Sequence, residues 1–187
     1  MSQQLSPAVI IATKLFEGDV ATANKVTTST ITELILRATE NLELETDITK
    51  FVEQLQCLDC RDQLEIAHTN IADYDDLPTE IRAHSLIALA TLAFTKKDYK
   101  LVLSYLGVVH QHVIVTTAGV FALEACAALK LNCFTVATNS FRNMLMCSDY
   151  DNVCDEKIRR FLATECTEQE LEYPVSDVIE LLNLPRI

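Results

Sequence analysis

Apolar residues in the middle of this chain recur at a fixed spacing, and that recurrence limits the fold more than any other feature. Leu86, Ala90, Ala93, Tyr99, Val102, Leu106 and Val109 form one set. Moving on by 35 positions gives Phe121, Ala125, Ala128, Phe134, Ala137, Phe141 and Met144. Moving back by 35 gives Phe51, Leu55, Leu58, Leu64, Ala67, Ile71 and Tyr74. All 21 positions are apolar or aromatic. Steps of three and four within each set are helical, and self-similarity at a period of roughly 20–50 residues signals a stacked repeat architecture.

Each unit therefore reads as two antiparallel helices joined by a turn. The first helix carries alanines, Ala90 and Ala93 or Ala125 and Ala128, which let a neighbouring helix approach closely. The second opens on an aromatic ring, Tyr99 or Phe134, placed to cover the turn. It then sets a small and a large residue four apart on one face, as in Ala137 and Phe141. A single hairpin cannot bury such a stripe alone, whereas stacked hairpins can.

Start and stop signals divide the chain into about ten helices. Ser6-Pro7 opens the first, which ends near Glu17-Gly18. Asp19 caps the next. The β-branched run Thr27 to Thr32 predicts a break or kink there. Helices are then expected from Thr46 or Asp47 to Leu58, Cys60 to Ala72, Pro78 or Thr79 to Thr95, and Asp98 to Gln111. Thr116 or Thr117 to Leu131 and Phe134 to Met146 follow. Two more are expected near Val153 to Thr164 and Asp177 to Asn183. Only 3 Gly and 4 Pro are present, which suits long helices with short connections. No adequate stretch alternates with period two; "HVIVTT" comes nearest.

The expected architecture is all-α: a superhelical stack of antiparallel helical hairpins with terminal capping helices, its right-handed sense implied by the family resemblance given below. It reads as a single helical-repeat domain over 1–187. An irregular N-terminal hairpin region covers 6–45, repeat units cover about 46–77, 78–112 and 115–147, and C-terminal capping helices cover 151–183.

These residues resemble the tetratricopeptide-repeat (TPR) family. That family's pattern is a large residue, Leu-Gly/Ala, an aromatic, a "GDY"-like turn, then Ala, a large aromatic and Ala. Leu86, Leu89-Ala90, "KDY" (Lys97 to Tyr99), Val102, Leu106 and Val109 follow it. So do Phe121, Ala125, "NCF" (Asn132 to Phe134), Ala137 and Phe141. The likeness covers about residues 48 to 146. There are departures. Glu124 stands where Leu is usual, only Pro78 follows a second helix, and the period is 35 rather than about 34. "FEGDVATA" (Phe16 to Ala23) looks like a further hairpin turn but falls out of register.

The resemblance implies that the first helix of each repeat lines a peptide-binding groove. By register, the groove-facing residues are His84, Ile87, Thr91 and Phe94 in one repeat and Ala122, Cys126, Leu129 and Lys130 in the next. The preceding repeat offers Val52, Gln56 and Asp59. With Lys130 the only base, this lining does not suit a clamp for carboxylates. It suits an apolar or amphipathic segment of a protein partner, or the chain's own C-terminal helix with Val175, Val178, Ile179 and Leu182.

Other chemistry finds little support in the sequence. The net charge of −12 disfavours nucleic acid and anionic membrane surfaces. No apolar run is long enough for membrane insertion. "CLDC" (Cys57 to Cys60) is a lone CxxC whose Asp59 opposes thiolate formation, and a zinc site needs two more ligands. His110 and His112 lie on different helix faces, so they make a poor metal pair. No phosphate-cradling or hydrolase motif occurs. The sequence therefore predicts no catalytic residue, no metal and no cofactor. It predicts a non-enzymatic adaptor or scaffold, with a structural subunit of a larger coat, trafficking or regulatory complex as the alternative. A thiol-redox or zinc protein using Cys57 and Cys60 is the reading from another class. Seven cysteines without a signal peptide suggest a cytoplasmic or nuclear protein.

Overall fold

A computed structural model describes residues 5–40, 45–112 and 117–147. Among these residues the chain is all-α, with eight helices and no strand. They are α1 (Pro7–Phe16), α2 (Val20–Glu40), α3 (Glu45–Cys57), α4 (Arg61–Ala72), α5 (Thr79–Thr95), α6 (Tyr99–His112), α7 (Ala118–Lys130) and α8 (Phe134–Leu145). The chain forms two compact units, Met1–Leu89 and Ala90–Ile187, and the boundary falls inside α5. The capping helices expected within 151–183 lie outside the described residues, as does the C-terminal segment expected to fill a groove.

One turn geometry joins four pairs of helices. After α1, α3, α5 and α7 a single residue adopts the left-handed conformation: Gly18 (φ 77°), Asp59 (52°), Lys97 (62°) and Asn132 (57°). The next backbone N–H reaches five residues back each time. Asp19 N bonds Lys14 O at 2.9 Å, Cys60 N bonds Leu55 O at 3.0 Å, Asp98 N bonds Ala93 O at 2.9 Å, and Cys133 N bonds Ala128 O at 2.8 Å. The left-handed residue's own N–H reaches three back, as from Lys97 to Phe94 O at 3.0 Å. These are Schellman turns, which satisfy the last carbonyls of one helix before the next begins. "FEGD" thus belongs with the other turns in geometry.

The turns are not equally spaced: the left-handed residues lie 41, 38 and 35 positions apart. The fixed 35-residue register therefore holds between the last two turns and fails before them. It places Leu58 where Ala93 lies, yet Leu58 is in the turn and 43% exposed while Ala93 is buried. Aligned on the turns, Leu55 matches Ala93, and Leu55 is fully buried. A three-residue slip is close to one helical turn, so Phe51, Ala67 and Ile71 are buried in either register.

The break expected at Thr27 to Thr32 is absent, because α2 runs unbroken through it. Thr27 Oγ1 donates to Ala23 O at 2.9 Å within the helix, which satisfies the buried hydroxyl. Ile31 and Ile35 are buried one and two turns further on. Their burial offsets the weak helix preference of the β-branched run.

In the first unit α1, α2, α3 and α4 pack around Ile11, Ala23, Ile31, Ile35, Leu55 and Ile71. Gln63 Nε2 donates to Asn24 Oδ1 at 2.8 Å and ties α4 to α2. Arg82 on α5 closes the loop before it, donating to Ala72 O at 3.1 Å and pairing with Asp75 Oδ1 at 2.8 Å. In the second unit α7 packs on α8 and on α6. Ala125, Ala128, Leu129, Ala137, Phe141 and Met144 form that core. The Tyr99 ring meets Phe94 edge-on at 5.3 Å, beside the turn it was expected to cover.

Candidate functional site

The first unit holds a cleft of about 490 Å³. Ile48, Thr49 and Val52 of α3 form one wall, and Glu80, Ile81, His84 and Ser85 of α5 form the other. His68 and Ile71 of α4 lie between them. The walls come from the first helices of successive hairpins. Residues 48 and 52, and 80, 81, 84 and 85, share a face because helical neighbours recur every three or four positions. Most of the exposed surface is apolar, and Thr49, His68, Glu80, His84 and Ser85 add polar groups to it.

The polar centre of the cleft is a histidine–serine pair. His68 Nδ1 and Ser85 Oγ share a hydrogen bond of 3.2 Å, and both residues are buried. Burial lowers the His68 pKa to about 4, so the imidazole is neutral near pH 7. Ser85 sits inside α5, where backbone N–H groups are committed to helical bonds. A nucleophilic serine needs spare N–H groups aimed at a developing oxyanion, and this position offers none from its own helix. The arrangement can fix α4 to α5 and present a neutral, half-polar floor to a ligand.

The sequence-predicted groove residues are distributed unevenly. Val52 and His84 line the cleft, and His84 is exposed at its mouth. Ile87 is half-buried on α5 but is not part of the lining. Gln56 and Asp59 are exposed, Asp59 as the left-handed residue of its turn. In the second unit Thr91 is exposed, Phe94 packs against Tyr99, and Ala122 and Lys130 are half-buried. Cys126 is buried, and Leu129 is 1% exposed within the α7–α8 core. Those two positions present no surface to a partner. The register-based groove set located Val52 and His84 and missed Ile48, Thr49, Ile71, Glu80, Ile81 and Ser85. His68 was legible only as an isolated histidine. Its partner is 17 positions away, and no local spacing signals the pair.

A second recess, of about 400 Å³, lies wholly in the second unit among α6, α7 and α8. Ser140 Oγ donates to Glu124 Oε2 at 2.6 Å and lies 2.9 Å from Val136 O. His110 stacks on Phe121, with ring centroids 5.4 Å apart and planes 12° apart. His110 Nε2 approaches Glu124 Oε1 to 3.2 Å. The approach is off the line a hydrogen bond needs, which leaves the buried Nε2 without one. The carboxylate sits between serine and imidazole, whereas a catalytic triad places the imidazole in the middle.

The thiols of "CLDC" differ. Cys57 is exposed and Cys60 buried. Burial pushes the Cys60 thiol up, and Asp59 adds to the effect. That direction opposes thiolate chemistry. Among the described residues no group of three or more His, Cys, Asp or Glu could hold a metal ion. No helix among them is long and apolar enough to cross a membrane. In comparisons with protein-family models, with curated proteins and with solved structures, the chain finds no significant match.

Proposed function

We propose that this chain is a non-enzymatic interaction module that holds an apolar or amphipathic segment of a protein partner in the cleft between α3 and α5. The observation that carries the reading is the cleft itself. Ile48, Val52, Ile71 and Ile81 give it an apolar wall and floor, and the His68–Ser85 pair adds a fixed polar point. Apolar contacts supply affinity in such grooves, and a few polar groups set register. The four shared turns and the sequence recurrence support the finer reading of a TPR-like right-handed superhelical stack. The odd cysteine count favours the cytoplasm or nucleus.

A photo-cross-linking amino acid at position 84 tests the reading, with the same group at exposed Ser29 on α2 as the control. The expected result is a discrete cross-link from position 84 to one segment of a partner, abolished by Val52→Glu. Equal labelling from both positions, or labelling that Val52→Glu leaves intact, contradicts it.

One observation favours a second reading, a structural subunit of a larger assembly. Leu5, Val9, Phe16 and Val20 are all exposed around α1, and Phe16 is 94% exposed. Leu5, Val9 and Phe16 recur at helical spacing, and exposed apolar groups gathered on one side of a helix are candidates for a contact surface. Under this reading Phe16→Ser impairs incorporation into the assembly, while cross-linking from position 84 is unchanged.

A further inference from the structure

Glu124 breaks the apolar pattern of its helix, and the structure shows what surrounds it. The carboxylate lies at the recess in the second unit with its side chain only 14% exposed. Its partners are the neutral hydroxyl of Ser140 and the off-line imidazole of His110. Among the described residues no lysine or arginine pairs with it. A mostly buried carboxylate without a permanent cation carries an uncompensated desolvation cost. An ionised carboxylate has about four acceptor positions, and among the described residues only Ser140 holds a well-directed bond here. Acceptor capacity therefore remains beside an open recess.

We propose that this recess seats the guanidinium of an arginine side chain carried by a protein partner. Three features fit that group. Glu124 supplies the charge. Asn139 and Asn143 are exposed on α8 along the recess, and their amide oxygens can accept from the outer N–H groups. The stacked Phe121 and His110 rings supply a flat apolar wall, which suits a planar, weakly hydrated cation better than a compact ammonium. The chain as a whole carries 27 acidic against 15 basic residues, a balance that draws a cationic partner toward it. The inference rests on the interaction reading above but concerns a different recess in the other unit.

The test uses the full chain and short peptides. Acetyl-Gly-Arg-Gly-amide and its citrulline counterpart, equal in shape but neutral, are titrated separately while ring resonances of Phe121 and His110 are followed by NMR. Spermidine forms a third arm, for a free polycation. The arginine peptide is expected to shift both rings saturably, and the citrulline peptide and spermidine to leave them unmoved. Glu124→Gln is expected to weaken the arginine peptide about tenfold or more, whereas Glu33→Gln, an exposed change of equal charge on α2, leaves it unaltered. Should Glu124→Gln fail to fold, Asn143→Ala at an exposed position is expected to weaken binding about threefold. Equal shifts from citrulline, a stronger response to spermidine, or full binding by the folded variants overturns the proposal. His84→Glu in the first-unit cleft is expected to leave this titration unchanged, which separates failure of this proposal from failure of the cleft reading.

Discussion

His68 Nδ1 stands 3.2 Å from Ser85 Oγ, and this buried contact joins α4 to α5 at the floor of the first-unit cleft. Burial at this contact favours a neutral imidazole and lowers the His68 pKa to about 4. A histidine in the unfolded chain titrates near ~6.5. Between those values the unfolded chain binds the extra proton. The His68 contribution is therefore complete above about pH 6.5 and is lost as pH falls toward 4. The loss amounts to about 2 kcal/mol by pH 5. Urea unfolding at pH 7.5 and pH 5 measures it, and in His68→Gln the difference between the two pH values should shrink by about that amount.

Lys97 carries a positive φ of 62° in the turn between α5 and α6. A side chain with a Cβ is strained there by about 1–2 kcal/mol, whereas glycine is not. Lys97→Gly should stabilise the fold by about 0.5–1 kcal/mol, after the entropy glycine adds to the unfolded chain. A thermal or urea midpoint below that of the parent chain would contradict the turn geometry.

Asp98 and Asp19 cap the helices that follow their turns, with bonds of 3.2 Å to Leu101 N and 3.1 Å to Thr22 N. Cys133 occupies the same place before α8 and makes no such bond. Its thiol instead donates to Leu131 O at 3.6 Å. Cys133→Asp should therefore gain about 1 kcal/mol in denaturant unfolding.

Gln63 is 1% exposed and donates to Asn24. Gln63→Leu leaves the Asn24 oxygen without that donor. It should cost about 1–3 kcal/mol, and Asn24→Leu added to it should recover part of the loss. Additive losses in the double variant would contradict the pairing.

The helices were legible because their signals are local. Ser6-Pro7, Asp98 and Tyr99, and the alanines of α5 and α7 act within a turn or two of their own positions. The all-α fold and most helix ends followed from them. The 35-residue register was only partly legible. Insertions of three residues leave a helical stripe nearly in phase, so Phe51 and Leu55 satisfied a register that Leu58 breaks. The α2 break was misread because burial of Ile31 and Ile35 outweighs local propensity. The cleft was least legible. Val52 and His84 could be reached by register, but the His68–Ser85 and Glu124–Ser140 bonds join residues on different helices, and only the packing of those helices brings them together.

Affinity for the cross-linked partner segment, made as a synthetic peptide, tests the cleft most directly. His84→Glu is the variant to compare with the parent chain, because His84 is exposed at the cleft mouth and its replacement costs the fold little. The predicted result is a loss of about tenfold or more in Kd with an unchanged unfolding midpoint. Equal affinity of the two proteins would contradict the account.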